Sequence, residues 1–178
     1  GLHHLSLSQH LAVKAVLGAP VFDLAAVPFA IPDGDVTLST EHELKLGSVT
    51  LNAGILSMGN PHAVIVVDNC AATPVAKIGP MIQALDVFPD SVNVGFMEIK
   101  SRDAIALRVF ERGVGETLAC GSGACAAVVH GIKLGLLSPE VTVDLPGGKL
   151  VVSWTGGRDA VWLSGPAKTV FQGKVNLR

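Results

Sequence analysis

The stretch GACAAVVHGIKLG, residues 123–135, predicts the centre of the fold. It is rich in alanine and apolar on nearly all sides, which is typical of a helix that is buried rather than one that lies on a surface. Lys133 falls in the predicted last turn, and Gly135 is placed to end the helix in a left-handed conformation. The sequence therefore predicts a central helix that is covered by other elements.

Short apolar runs separated by turn residues flank this helix. Alternation predicts one buried face in each of two strands: Val92, Val94 and Phe96 in residues 91–99, and Ile105, Leu107 and Val109 in residues 104–110. The runs 140–145 and 149–154 flank PGG and predict a hairpin, and residues 75–85 predict a second helix. The pattern predicts an α+β fold in which mostly antiparallel strands wrap around a buried central helix.

Composition narrows the classes of function. Of the 178 residues, 49% are hydrophobic and 16% are charged, which indicates a compact globular protein. The net charge of -2 argues against nucleic acid as a partner, and no apolar run approaches the roughly 20 residues that span a bilayer. Three cysteines cannot all pair, and neither a zinc-type Cys/His set nor an HExxH motif is present. We therefore expect reduced thiols, a cytoplasmic location and no metal.

Cys120 is predicted to lie at the mouth of the central helix, directly before Gly121, Ser122 and Gly123. A helix N-terminus carries free N–H groups and a partial positive charge, so a thiol there is expected to have a lowered pKa. The same N–H groups can hold a carboxylate or phosphate, because glycines allow a ligand close to the backbone. A thiolate beside such a cradle can act as a nucleophile or as a proton-transfer base.

Other interpretations of this stretch remain open at this point. Free cysteine is often a small buried hydrophobe, and the glycines could merely shape a turn. Cys125 lies among alanines inside the predicted helix, and there the structural interpretation is favoured. Nucleotide-binding interpretations fail, because the stretch lacks the Gly-Lys-Ser/Thr of a P-loop and the third glycine of a dinucleotide fingerprint.

Three further polar features lie near predicted strand ends. GNPHAV places Asn60 and His62 in one turn, where a histidine could also be no more than a solvated residue. ERGVGE carries Glu111 and Arg112, which could form a surface ion pair or, through the arginine, clamp a carboxylate. Asn93 interrupts an apolar strand, and if it points inward it needs a partner, for which a ligand is one candidate.

Four segments together resemble a known family. In this order, GNPHAV, VNVGFMEI, RVFERGVGETLACGSGACAAV and LPGGKLVV resemble the C-terminal half of diaminopimelate epimerase, from about residue 20 to the end of the chain. The family interconverts LL- and meso-diaminopimelate in the synthesis of lysine and peptidoglycan, without pyridoxal phosphate or metal. The resemblance implies one lobe of a two-lobed fold, with the substrate bound between the lobes and no cofactor.

The resemblance also implies roles for individual residues. Cys120 matches one of two catalytic cysteines that face each other across the substrate α-carbon, and Glu111 and His62 match positions that assist the thiols. The turn of Gly121 and Ser122 would bind the α-carboxylate. The resemblance makes Arg112 a substrate contact, and we infer that it pairs with the distal carboxylate. The implied substrate contacts are Asn60, Asn93, Glu111, Arg112, Gly121 and Ser122.

The family's N-terminal lobe, with its own cysteine in a Cys-Gly-Asn-Gly turn, has no counterpart here. We therefore expect a fragment, a truncated gene product or one half of a split enzyme that needs an N-terminal lobe or a partner chain. The expected division is an atypical leader (1–20), the epimerase lobe (21–168) and a terminal strand (169–178) that would complete the other lobe. Phe171 stands where relatives can carry a tyrosine involved in dimerisation, so a homodimer is possible.

Two alternatives to the epimerase function remain. One is an amino-acid-binding or assembly module without turnover, and the other is an isomerase acting on proline or phenazine precursors.

Overall fold

A computed structural model of the chain describes residues 5–7, 12–30 and 39–175. Within these ranges it contains eleven strands and two helices. The strands are β1 (Leu5–Leu7), β2 (Ala12–Gly18), β3 (His42–Leu46), β4 (Val49–Ser57), β5 (Pro61–Val66), β6 (Asn93–Ser101), β7 (Ala104–Glu111), β8 (Gly115–Thr117), β9 (Glu140–Leu145), β10 (Gly148–Ser153) and β11 (Val161–Pro166). The helices are α1 (Val75–Gln83) and α2 (Gly121–Lys133).

Helix α2 is the predicted central helix, and it is buried along most of its length. Every residue from Gly123 to Gly131 is buried, and the helix shares a hydrophobic core with residues of the surrounding strands. Gly135 has a φ of 73°, its N–H donates to the carbonyl of Ile132, and the N–H of Leu136 donates to that of Gly131. These two bonds form a Schellman motif, so the predicted glycine termination is confirmed.

The strands form one strongly connected sheet around α2. Its order is β1-β2-β11-β10-β9-β7-β6-β5-β4-β3, and β8 pairs with the end of β7 beyond β9. Adjacent described strands are antiparallel except in the pairs β5–β6 and β7–β9, which are parallel. The prediction of mostly antiparallel strands wrapped around a buried helix is therefore confirmed, and the fold is α+β.

The predicted strand faces are confirmed, and they point to two different cores. Val92, Val94 and Phe96 belong to a cluster that includes residues of α1, whereas Ile105, Leu107 and Val109 belong to the cluster around α2. Strand β6 lies between these clusters, because its Met97 belongs to the core around α2. This position explains why β6 is buried on both faces over its first five residues.

The hairpin predicted at PGG joins β9 to β10. Leu145 pairs with Gly148, so Pro146 and Gly147 form a two-residue turn. The second predicted helix is also present as α1, although it ends at Gln83 and contains Pro80 in its interior. Proline lacks the N–H that would bond within the helix, so α1 forgoes one backbone bond there.

The two ends of the chain differ in their relation to the sheet. Strand β2 lies in the segment predicted as an atypical leader, and it pairs with β11, so it extends the sheet. The segment predicted to be a terminal strand has no strand over residues 169–175, where Val170 and Phe171 are exposed. Residues 1–4, 8–11 and 176–178 of these two segments lie outside the described residues. The division at residue 20 and the pairing of the last strand with another lobe stay predictions.

Candidate active site

Cys120 is the N-cap residue of α2, as predicted. Its extended backbone (φ -135°, ψ 109°) turns the chain into the helix, and its carbonyl accepts the N–H of Ala124. The Sγ atom lies 3.8 Å from the hydroxyl of Ser122, and the nearby backbone N–H of Gly123 lowers the pKa of the thiol. A side chain at position 123 would bring its Cβ within 3.1 Å of this sulfur, so glycine makes room for the thiol over the first helical turn.

The electrostatic balance at Cys120 differs from the prediction. Only 6% of the residue is exposed, and this burial raises the pKa of the thiol. The Gly123 N–H and the Ser122 hydroxyl lower that pKa, while the charge and hydrogen bond of Glu111 raise it further. The prediction of a lowered pKa is therefore wrong, because desolvation outweighs the donors at the helix mouth.

Glu111 is the last residue of β7 and lies close enough to Cys120 to raise the pKa of its thiol. Its carboxylate accepts a hydrogen bond from the hydroxyl of Thr117, at the end of β8. Between these residues the chain reverses through a tight turn, in which Gly113 has a φ of 76° and Gly115 a φ of 101°. Both values lie in the region that favours glycine, so the glycines of this loop allow Glu111 and Thr117 to face each other.

Arg112 extends from the same turn and is bound at two points. One guanidinium nitrogen donates to the carbonyl of Asp90 at 2.9 Å, and its backbone N–H donates to the side-chain oxygen of Asn93 at 3.0 Å. The exposed guanidinium therefore has a defined direction, and its fork of donors suits a carboxylate.

Asn93 is buried and has partners within the chain at both ends of its amide. Its nitrogen donates to the carbonyl of Pro61 at 3.0 Å, and its oxygen accepts the Arg112 N–H. These bonds satisfy the requirement that a buried polar group be paired. They support a positioning role for Asn93, and its contact with a substrate stays a prediction.

His62 and Asn60 form a pair next to Asn93. The Nε2 atom of His62 lies 3.0 Å from the side-chain oxygen of Asn60, and the register of β5 and β6 sets His62 opposite Asn93. Burial and, to a smaller extent, the charge of Arg112 lower the pKa of His62 from 6.5 to about 4. His62 is therefore neutral near pH 7, and it is not the solvated turn histidine of the simpler interpretation.

The predicted residues thus form two adjoining groups. Cys120, Gly121 and Ser122 lie with Glu111 at the helix mouth, and the second group consists of Asn60, His62, Asn93 and Arg112. The peptide bond between Glu111 and Arg112 joins them. Nothing in the sequence indicated that Thr117 bonds to Glu111. A hydroxyl six residues after a carboxylate is not a recognisable motif until the turn between them is known.

The described residues can also be compared with the requirements of a metal site and of a membrane-spanning helix. Among them no cluster of three or more His, Cys, Asp or Glu side chains is arranged to hold a metal ion. None of the helices in the described part of the chain has the length and apolar character needed to cross a membrane.

Comparison with known proteins identifies relatives over nearly the whole chain. Residues 54–170 match the family model described as diaminopimelate epimerase. A diaminopimelate epimerase of Alkalilimnicola ehrlichii is 47% identical over 177 residues, which cover 99% of this chain and 62% of that protein. One from Laribacter hongkongensis is 51% identical over 93% of this chain and 59% of its own length. The alignment that covers 99% of the chain extends into residues 1–20, beyond the resemblance expected from the motifs.

Solved structures with low sequence identity share the fold. A probable proline racemase from Agrobacterium radiobacter has a TM-score of 0.63 at 13% identity, and covers 99% of this chain and 57% of its own. A hydroxyproline epimerase from Agrobacterium vitis has a TM-score of 0.61 at 15% identity, over 92% of this chain and 53% of its own. This chain spans about three fifths of the length of the curated relatives described above.

Proposed function

This chain belongs to the diaminopimelate epimerase family, and from that premise we propose that it supplies one half of an epimerase active site. The substrate is diaminopimelate, and Cys120 transfers the proton at one face of the α-carbon. The observation that carries this proposal is the position of Cys120 at the N-terminus of α2, where the Gly123 N–H lowers the pKa of its thiol and the Glu111 carboxylate raises it.

The helix mouth suits the charge that develops in such a reaction. When the thiolate removes the α-proton, the C–H bond breaks, the proton passes to Sγ, and its electron pair spreads into the α-carboxylate. The free N–H groups at Gly121 and Ser122 would hold that carboxylate, and the partial positive charge of the helix N-terminus stabilises the added negative charge. Because burial raises the pKa of Cys120, its thiolate is scarce but strongly basic.

The second group of residues would orient the substrate. Arg112, fixed by Asp90 and Asn93, is positioned to pair with the distal carboxylate. His62 is neutral and holds the amide of Asn60, so its contacts support an orienting role for the pair. Direct assistance of a thiol by His62 rests on the family resemblance alone, whereas the Glu111 carboxylate acts on the pKa of the Cys120 thiol.

Inversion also needs an acid on the opposite face of the α-carbon, and neither other cysteine suits that role. Cys125 is fully buried in α2, and burial raises its pKa to about 12. The thiol of Cys70 is buried against the carbonyl of Phe96. We therefore propose that the second thiol belongs to a segment outside this chain, as the resemblance to the family implies.

Reconstitution tests this proposal. The chain is mixed with the part of the Alkalilimnicola ehrlichii enzyme that the alignment leaves uncovered, and conversion of LL- to meso-diaminopimelate is followed. The chain alone should not invert the substrate, the mixture should, and Cys120→Ala should abolish the activity. Cys125→Ala is the matched control and should retain it. Inversion by the Cys120→Ala mixture would overturn the proposal, and so would a folded, associated mixture that is inactive.

A further inference from the structure

The hairpin turn between β9 and β10 contacts the segment that leads into Cys120. The backbone N–H of Gly147 donates to the carbonyl of Leu118 at 2.7 Å, and Leu118 lies two residues before the thiol. Neither Gly147 nor Leu118 belongs to the two groups of residues that form the candidate active site. The contact joins two segments that are far apart in the sequence and adjacent in the fold.

Gly147 and Gly148 require glycine for different reasons. A Cβ at position 147 would lie 2.9 Å from the Leu118 carbonyl oxygen and 3.2 Å from its carbonyl carbon, and both are backbone atoms. The φ of Gly147 lies outside the left-handed region, so only space excludes a side chain there. Gly148 has a φ of 139°, but a Cβ there would meet nothing within 4 Å. Conformation alone therefore restricts Gly148.

We propose that Gly147 is a positioning residue for Cys120, because its lack of a side chain lets the hairpin turn hold the 118–120 segment in register with the first turn of α2. This inference rests on the proposed role of Cys120. Thr117 holds the start of the segment through Glu111, and Gly147 holds its middle through Leu118. With both contacts in place, Sγ lies 3.8 Å from the Ser122 hydroxyl and near enough to the Gly123 N–H for this donor to lower its pKa.

An added methyl group at position 147 cannot be accommodated by rotating a side chain. Because the obstructing atoms belong to the backbone, either the hairpin turn or the 118–120 segment has to shift by several tenths of an ångström. A shift of the segment carries Cys120 away from the two donors that favour its thiolate. A small displacement of a reacting group costs on the order of tenfold in rate.

The test compares Gly147→Ala with Gly148→Ala in this chain, and it uses the rate at which iodoacetamide alkylates each cysteine as a function of pH. Gly147→Ala should slow alkylation of Cys120 on the order of tenfold near neutral pH and move the midpoint of its pH profile upward. Gly148→Ala should lower the free energy of unfolding and leave that profile unchanged. The inference would be overturned if Gly147→Ala and the parent gave the same pH profile for Cys120 alkylation. It would also be overturned if Gly147→Ala and Gly148→Ala shifted the midpoint of that profile equally.

A second measurement needs no substitution and so does not depend on how well Gly147→Ala folds. Alkylation of Cys120 in the parent chain should displace the 118–120 segment and accelerate hydrogen exchange at the Gly147 amide on the order of tenfold. The Trp154 amide, which donates to Pro139 at 2.8 Å, is the reference and should not change. Unchanged protection of Gly147 would overturn the inference. Both measurements are independent of turnover, so a failure of the proposed function would not alter them.

Discussion

The side-chain oxygen of Asn93 accepts the backbone N–H of Arg112 at 3.0 Å, across 19 positions of sequence. The nitrogen of the same amide donates to Pro61, so one buried side chain fixes the arginine turn relative to the strand that carries His62. The substrate-binding half of the proposed site therefore depends on Asn93, and both polar atoms of its amide bond to backbone groups of the protein.

Replacement of Asn93 by alanine should destabilise the protein. The change leaves the buried Pro61 carbonyl and the part-buried Arg112 N–H without their partner, which costs about 2–4 kcal/mol for the two groups. Urea unfolding measures the effect. Asn52→Ala, at an exposed position on β4, is the control and should change the free energy of unfolding by less than about 0.5 kcal/mol. Equal effects of the two substitutions would show that the Asn93 bridge does not contribute to stability.

Thr117 is expected to matter through its hydroxyl. Thr117→Val keeps the shape of the side chain but removes the donor to Glu111, so the carboxylate loses the contact that orients it beside Cys120. Epimerisation by the reconstituted mixture should fall on the order of tenfold, whereas Thr117→Ser, which keeps the hydroxyl, should stay within about twofold. If both variants behave alike, the hydroxyl does not position Glu111.

The two cysteines of α2 and its cap are expected to differ in reactivity. Cys120 is slightly exposed and has two donors to its thiolate, whereas Cys125 is fully buried and its pKa is raised to about 12. Peptide mass spectrometry after timed alkylation near neutral pH should show Cys120 reacting at least about tenfold faster. Equal rates in the folded chain would contradict the description of the helix mouth.

Stability is expected to fall in acid because of two buried histidines. Burial lowers the pKa of His62 and of His130 from 6.5 to about 4, and Glu41, 3.6 Å from His130, does not offset this. The unfolded chain takes up protons below pH 6.5 and the folded chain only near 4. The stability that the neutral histidines confer is therefore complete above the first value and is lost as the pH falls through the second.

The slope between these two pH values reaches about 1.4 kcal/mol per pH unit for each histidine. Urea unfolding at several pH values in this window measures it. His62→Gln and His130→Gln should each remove about half of the slope, whatever their effect on stability at neutral pH. A slope that neither substitution changes would assign the acid sensitivity to other groups.

Local pattern was sufficient to predict much of the fold. The alanine-rich run before Gly135 and the alternation around Val94 and Leu107 depend on neighbours in sequence, and the structure confirms both. The parallel pairing of β7 with β9 depends on contacts between distant segments, so the sequence did not indicate it.

The position of Cys120 at the helix mouth was predictable from the sequence, but the direction of its pKa shift was not. Cys120 lies at the mouth of α2 as expected, yet its pKa is raised because burial depends on strands that local pattern does not place. Three further contacts depend in the same way on how distant segments pack: the hydrogen bond of Asn93 to Pro61, that of Thr117 to Glu111, and the close approach of Gly147 to Leu118. Each is a contact across the fold, without a sequence signature of its own.

The central claim is that Cys120 transfers a proton at one face of the substrate. The most direct test is proton NMR of LL- and meso-diaminopimelate with this chain in D₂O, following the α-proton signals. We predict that the α-proton of one configuration is slowly replaced by deuterium without inversion, and that Cys120→Ala leaves the signal intact. Inversion by the chain alone, or exchange no faster than with Cys120→Ala, would contradict the claim.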